Sequence, residues 1–392
     1  MAIKFVPVEE FDRVHAIATY CFPWMHNAKD KIKNFLQQYV KSEYILGYYD
    51  ESGTLMAQVV VFPFEIYIGG KPLKMGGVAL VSSMPEGRHG GRIGQLLTEW
   101  LKVMRDRGQY VSMLGPFSFE FYRKYGWELG FERVNYTVPI EHIRNFKKIG
   151  SLRVVTQEDI GALDKIYTKY ALNHNGSAKR DDSLWKEFTL SHPWDDNYGR
   201  YAYIYMDEKG DEKGYIIFTI KNGRMDIYEM IYEDVSALKG LLAFIYAHQS
   251  QIGEFSWSTA TDEKLHVLLP NPRVKREIHT GMMFRVVDIK EAVKSRGYGE
   301  DATGRFKIKV EDKDAPWNQL PFDISLKNGI VDVNECSDPE LFCDIQTFSQ
   351  IFIGYITPME AYKLGKLTGD VRAVEQMEKV YKKSYTFNNN GF

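Results

Sequence analysis

Cysteine is scarce in this chain of 392 residues. Cys21, Cys336 and Cys343 form an odd set without metal-ligand spacing, so neither a disulfide framework nor a zinc site is expected. They read as small core hydrophobes in a reducing cytoplasm. No window approaches the roughly 18 to 20 consecutive apolar residues of a membrane span. The start Met1-Ala2-Ile3-Lys4-Phe5 leads into no long apolar run either, and no signal peptide is expected. Surplus charge is missing: 50 basic side chains face 52 acidic ones, a formal net charge of -2. A nucleic-acid-binding protein usually carries a basic excess on one face, so that class is set aside. His174, His192 and His279 are scattered without ligand spacing, and no metal is expected. Low-complexity segments, a Gly-Lys-Ser/Thr Walker loop and a GxGxxG dinucleotide fingerprint are all absent.

What is present is apolar material for several cores, 44% of the residues, with 14% aromatic. At about 150 residues per domain the length predicts two or three domains. The most informative stretch covers residues 78–127. An apolar strand, Val78-Ala79-Leu80-Val81, runs through Ser82-Ser83-Met84-Pro85-Glu86 into the basic glycine loop Arg88-His89-Gly90-Gly91-Arg92-Ile93-Gly94. Leu96, Leu97, Trp100, Leu101 and Met104 then recur at helical spacing. Such a loop leaves the first helical amides unpaired and aimed outward, where the helix dipole adds positive potential. Glycines let the backbone approach closely and arginines add mobile charge, which together predict a pyrophosphate seat. Arg88-x-x-Gly91-x-Ile93 resembles the acetyl-CoA loop of the GNAT acetyltransferases, with Ile93 where the family has Gly or Ala. After the strand Tyr110-Val111-Ser112-Met113-Leu114, the segment Phe121-Tyr122-Arg123-Lys124-Tyr125-Gly126-Trp127 resembles the closing helix and turn of that fold. There a tyrosine hydroxyl lies near the coenzyme sulfur. Phe121 and Tyr125 read as core.

Three parts are legible along the chain. In 1–148, helices over 8–21 and 30–39 precede strands over 44–49, 55–67 and 74–83, with a tight turn at Gly69-Gly70. In 149–286, helices over 160–170 and 184–190 precede strands over 200–206, 213–221 and 225–232, then a helix over 235–249. That order repeats the first part without its glycine loop, and Glu233 and Asp234 would repel a pyrophosphate. A degenerate second GNAT domain is therefore expected. In 287–392, strands at 304–310, 322–326 and 329–333 precede helices over 338–353, 357–364 and 371–381, an order that resembles the sterol-carrier-protein fold. The last residues, Asn388-Asn389-Asn390-Gly391-Phe392, have the composition of a frayed tail. Against that, Phe392 puts a large apolar side chain beside a free carboxylate, which in a fixed site could take a proton from an amine.

Taken together, the chain resembles the enhanced-intracellular-survival (Eis) acetyltransferases over essentially its whole length. The resemblance implies an α+β fold of tandem GNAT domains, each a mixed sheet with flanking helices, plus a C-terminal sterol-carrier-protein-like α/β domain. By position, Val81, Ser82 and Ser83 would offer strand amides to the acetyl thioester and pantetheine of acetyl-CoA. His89, Gly90, Gly91, Arg92, Ile93 and Gly94 would hold its pyrophosphate, and Phe117 and Ser118 would touch the pantetheine arm. Tyr122 would be the general acid and the Phe392 carboxylate the general base of a direct acetyl transfer to an amine. The family also implies a cytoplasmic homo-oligomer, often a hexamer. Some relatives place an acidic residue just before the terminal Phe, which attracts polycationic aminoglycosides. Here Asn390 and Gly391 stand there, so an aminoglycoside-like compound, a polyamine and a lysine side chain all remain candidate acceptors. Tyr20, Phe22 and Trp24 could line the acceptor pocket or the core. A covalent cysteine route is not expected, because no cysteine lies near the motifs in sequence. Two other readings stay open: a longer-acyl or aminoacyl transferase on the same fold, and a lipid-binding scaffold protein.

Overall fold

The computed structural model describes residues 2–22, 33–35, 38–88, 90–191 and 199–391. Trp24, His89, His192 and Phe392, all singled out above, lie outside them, as does half of the helix expected over 30–39. The chain begins with β1 (Ala2–Phe5), α1 (Phe11–Cys21), β2 (Ile45–Tyr49), β3 (Leu55–Ile68), β4 (Lys71–Ser83), α2 (Arg92–Asp106), β5 (Val111–Leu114) and α3 (Phe119–Arg123). Next come β6 (Glu128–Leu129), β7 (Glu132–Pro139), β8 (Ser151–Val154), α4 (Ile160–Ala171), β9 (His174–Asn175), β10 (Tyr201–Met206), β11 (Glu212–Lys221) and β12 (Arg224–Tyr232). They are followed by α5 (Val235–Tyr246), β13 (Glu254–Thr259), β14 (Lys275–Thr280), β15 (Met283–Val286) and α6 (Ile289–Ser295). The remainder is β16 (Gly304–Glu311), β17 (Phe322–Lys327), β18 (Ile330–Glu335), β19 (Leu341–Asp344), α7 (Ile345–Ile353), α8 (Pro358–Lys363), β20 (Thr368–Gly369), α9 (Val371–Val380) and β21 (Tyr385–Thr386).

Two compact units result. One gathers Met1–Phe131 and Met282–Ser384, the other Glu132–Gly281 and Tyr385–Gly391. In the first unit a sheet runs in the order β1-β2-β3-β4-β5-β15-β6. The expected periodicity of α2 is its buried stripe: Leu96, Leu97, Trp100, Leu101 and Met104 pack with Val59, Val61 and Val78. Each such side chain contributes about 1.5–3 kcal/mol by leaving water. Trp100 also donates its indole N–H to the Val59 carbonyl (3.0 Å).

Sheet membership crosses the boundaries expected at 148 and 286. β15 pairs with β5, Met283 opposite Leu114 and Val286 opposite Val111. β7 pairs instead with β13 and β14 of the second unit. Local reading assigns a strand to its neighbours in sequence, which is the usual case. Here the fully buried Met283, Phe284 and Val286 find their partners some 170 positions upstream, as the pairing of 283 with 114 shows.

The third part does not keep a core of its own. Its five-stranded sheet, β18-β17-β16-β19-β20, contributes Phe306 and Ile308 to one apolar cluster. Phe348 and Phe352 of α7 belong to the same cluster, along with Ile66, Met75 and Val111 of the N-terminal sheet. The helix expected over 338–353 is divided. Leu341 and Cys343 are buried and Phe342 and Asp344 exposed, the alternation of a strand, so β19 precedes α7. Asp344 then caps α7, accepting from the Thr347 amide (2.7 Å).

In the second unit the sheet order is β14-β7-β13-β12-β11-β10-β8. Helix α5 buries Leu238, Leu241, Leu242 and Ile245 against Ile216, Phe218 and Phe255. The expected repeat of helix, strands and helix is present here.

Candidate active site

The strand that leads into the glycine loop is bulged. Across the β3–β4 ladder, Gln58 faces Ser82 and Val60 faces Ala79, so Leu80 and Val81 together stand opposite one residue. Leu80 sits at φ 46, a left-handed conformation uncommon for a leucine. A bulge bends its strand and sharpens the local twist. Parallel pairing between β4 and β5 ends at Val78 opposite Leu114, while β4 continues to Ser83. Beyond that point β5 no longer covers the far edge of β4.

Alternation decides which groups lie on that edge. Met84 donates its amide to the Met56 carbonyl across the β3 ladder, so Ser83, one residue earlier, turns its backbone the other way. The Ser83 carbonyl accepts from the Cys21 thiol (3.1 Å). The expectation that no cysteine lies near the motifs is thereby corrected: helix α1 folds back and brings Cys21 to the end of β4. Ser82 is buried, and its hydroxyl closes on the Leu80 carbonyl inside the bulge (3.0 Å).

After a 3-10 turn at Pro85–Gly87, Gly90 and Gly91 adopt φ 81 and 69, and Gly91 is the N-cap of α2. A Cβ at either would meet nothing within 4 Å, so positive φ, and not crowding, requires glycine there. The first helical bond runs from the Gln95 amide to the Gly91 carbonyl (3.0 Å). Among the described residues no side chain caps this helix. By contrast α5, α6, α7 and α9 are each capped by an aspartate carboxylate and α8 by Thr357. The amides of Ile93 and Gly94 thus lie at a positive helix end. Gly94 has a second reason to be glycine, since a Cβ there would stand 2.3 Å from the Tyr125 hydroxyl. The Arg88 guanidinium lies over the Tyr20 ring (5.6 Å) and that of Arg92 over Tyr48 (5.4 Å).

On the other strand, Ser118 caps α3 by accepting from the Phe121 amide (3.3 Å). That cap places Tyr122, which is only 2% exposed. Its ring packs edge-on against Phe121 (5.1 Å) and Phe117 (5.2 Å). Phe117 itself is 68% exposed, an apolar wall beside a buried phenol. Burial pushes the Tyr122 hydroxyl above its ordinary value, so it stays protonated at neutral pH. Among the described residues no hydrogen bond occupies that hydroxyl. A protonated donor without a partner can give its proton to a leaving group.

The second unit also holds Tyr385–Gly391. Asp234 caps α5 through the Ser236 and Ala237 amides (2.8 and 2.9 Å), and Glu233 is paired with Lys169 and Lys213. The helix end that could have met a phosphate is occupied by a carboxylate, as the acidic pair predicts. The tail is not frayed. Tyr385 and Thr386 pair in parallel with His174 and Asn175. The Phe387 amide donates to the Asn175 carbonyl (3.0 Å), and Asn388 donates to that of Gly176 (2.7 Å). His174 is fixed in turn by stacking on Tyr170 (4.0 Å) and by Asp262 (3.1 Å). Beneath the tail lies a buried ion pair that sequence spacing does not reveal. Arg180 meets Glu229 through two bonds of 2.7 Å, and its guanidinium lies 3.7 Å over the Tyr167 ring. Burial would raise the Glu229 carboxyl, but the charge and hydrogen bonds of Arg180 outweigh it and hold the group below its ordinary value.

Residues 2–130 and 176–286 each match an acetyltransferase (GNAT) domain family, and residues 289–387 match the sterol carrier protein domain. The chain carries two GNAT acetyltransferase domains. This GNAT chain is 22% identical over 286 residues to an uncharacterized N-acetyltransferase of Streptomyces griseus. The match covers 64% of the present chain and 66% of that relative, slightly under two thirds of its length. A probable N-acyltransferase from Enterococcus faecalis is 25% identical, with a TM-score of 0.89 over 100% of this chain and 99% of its own. A GCN5-related N-acetyltransferase from Anabaena variabilis gives 0.90 at 22% identity, over 100% of both chains. Eis1 from Mycobacterium abscessus gives 0.81 at 18%, again over 100% of both, so the three-domain fold is Eis-like. The described part of the chain has no helix long and apolar enough to cross a membrane. It also has no group of three or more His, Cys, Asp or Glu side chains arranged to hold a metal ion.

Proposed function

We propose that the chain transfers an acetyl group from acetyl-CoA directly to an amine. The observation that carries this reading is the uncapped α2 end at Gly90 and Gly91, next to the open edge of bulged β4. Amides of residues 92–94 would take the pyrophosphate, with His89, Arg88 and Arg92 adding charge. The strand end at residues 81–83 would receive the thioester and pantetheine, with Phe117 and Ser118 beside that arm. A strand amide would polarise the thioester oxygen. The Phe392 carboxylate would take the proton from the acceptor ammonium, so that the nitrogen lone pair forms the new C–N bond. As the C–S bond breaks, Tyr122 would protonate the departing thiolate. A small-molecule amine or lysine acceptor, a cytoplasmic setting and a homo-oligomer of the Eis-like kind complete the reading.

The test is a screen of aminoglycosides, polyamines and lysine peptides, with thiol release from acetyl-CoA as readout and acetyl-CoA binding measured by calorimetry. Saturable binding with acceptor-dependent thiol release is expected. Absence of binding at millimolar coenzyme would overturn the proposal. Stronger competition by longer acyl-CoA than by acetyl-CoA would move the donor to another acyl group.

A further inference from the structure

The second GNAT domain keeps the strand geometry of a coenzyme groove but not the opening. β12 and β13 run parallel from Arg224 opposite Glu254 to Ile227 opposite Trp257, and the pairing then stops. At that point β12 gains a residue against β11: Phe218 faces Ile227 and Ile217 faces Glu229, leaving Tyr228 as a bulge. The first domain has the same succession, with parallel pairing ending at Val78 and a bulge at Leu80 and Val81. In the second domain the bulge residue already has a partner from the chain's own tail. Asn389 donates its side-chain amide to the Tyr228 carbonyl (3.1 Å) and to Glu229 Oε2 (2.7 Å). Arg180, which grips the same carboxylate, donates from Nε to Asn390 Oδ1 (3.0 Å). Asn390 is 4% exposed and Asn388 5%, while Asn389 between them is half-buried.

We propose that the vestigial coenzyme groove of the second GNAT domain serves as the receptor for the C-terminal segment. In this arrangement Arg180 and Glu229 are positioning residues that fix Asn389 and Asn390, three and two positions before the proposed base in sequence. The pair is charged and buried; the Tyr215 hydroxyl donates to Glu229 Oε1, while Arg180 Nε and Glu229 Oε2 meet the tail. Hydrogen bonds to charged, desolvated groups are the strong ones, and they specify one register for a segment that backbone pairing alone would let slip. This rests on the reading of the Phe392 carboxylate as the base.

The experiment compares the full-length double variant Asn389→Ala/Asn390→Ala with wild type. It measures amide hydrogen exchange over 385–391 and, with the best acceptor of the screen above, kcat and the KM for acetyl-CoA. Exchange should quicken on the order of 10- to 100-fold, as expected for losing hydrogen bonds to charged groups. kcat should fall by a similar factor, while KM for acetyl-CoA and the melting temperature hold. Arg180→Lys, which keeps the charge but loses the bidentate fork, should give an intermediate result in both readouts. Unchanged exchange in the double variant overturns the clamp. A full chain lacking only Phe392 tests the underlying reading separately. If that chain loses turnover while the double variant exchanges faster at undiminished kcat, the positioning role alone is overturned. If it keeps turnover, the base reading fails and the clamp is judged by exchange.

Discussion

Replacing Tyr122 with Phe is the sharpest probe of the proposed chemistry, because it removes one oxygen from a side chain whose packing is aromatic. The ring stays against Phe117 and Phe121, about 5 Å away in each case. No described hydrogen bond is lost with the hydroxyl. Stability should therefore change by no more than about 0.5 kcal/mol. General-acid help is worth about 10²- to 10⁴-fold in rate. At about 1.36 kcal/mol per decade, that is roughly 2.7 to 5.4 kcal/mol of barrier. Thiol release followed at pH 7 to 8 gives kcat and KM for acetyl-CoA, and the loss should lie in kcat. The pH profile adds a second reading. Burial raises the Tyr122 pKa, so this residue should produce no descending limb below the ordinary tyrosine value of about 10. The sign for stability follows: above that pH the unfolded chain releases the proton while the folded one retains it, and stability falls as pH rises. A variant with unchanged melting temperature and a rate within about threefold of wild type would refute the acid role, since the expected loss begins at about 100-fold.

Two further outcomes follow from the helix ends. Gly91→Ala forces an alanine into φ 69, a strain of about 1–2 kcal/mol, although the added methyl meets no atom. Calorimetry should show weaker acetyl-CoA binding with only a modest drop in melting temperature; unchanged affinity would remove Gly91 from the pyrophosphate seat. Asp234→Ala removes the carboxylate cap of α5 and should cost about 0.5–2 kcal/mol of stability. Acetyl-CoA binding should be unaffected, and a gain of a second coenzyme site would contradict the degenerate reading of that domain.

Much of the candidate site was legible because its signals are local. Gly90 and Gly91 must follow a strand and open a helix for positive φ to be useful, and the periodicity of Leu96, Leu97, Trp100 and Leu101 identifies that helix. Glu233-Asp234 announces a helix end closed to anions, whereas the capping role of Ser118 came only from the structure. Cys21, Arg180 and Glu229 were not legible. Cys21 reaches Ser83 only because α1 folds back, and Arg180 meets Glu229 across 49 positions of chain. The sequence near a residue carries no trace of such a partner. The Asn-rich tail was misleading for the same reason: Asn388, Asn389 and Asn390 are polar by composition, yet each side chain meets a partner more than 150 positions away.

By itself, the amino-acid sequence determined the order and kind of most elements, the glycine loop, and the loss of that loop in the repeat. Backbone conformation and amphipathic periodicity are set within a few residues. Tertiary structure alone decided that β7 and β15 change sheets, that the third part shares a core with the first, and that Asn389 and Asn390 meet a buried ion pair. Strand partners, shared apolar clusters and desolvated charges are selected by which distant surfaces can be buried together, and that choice exists only once the whole chain has condensed.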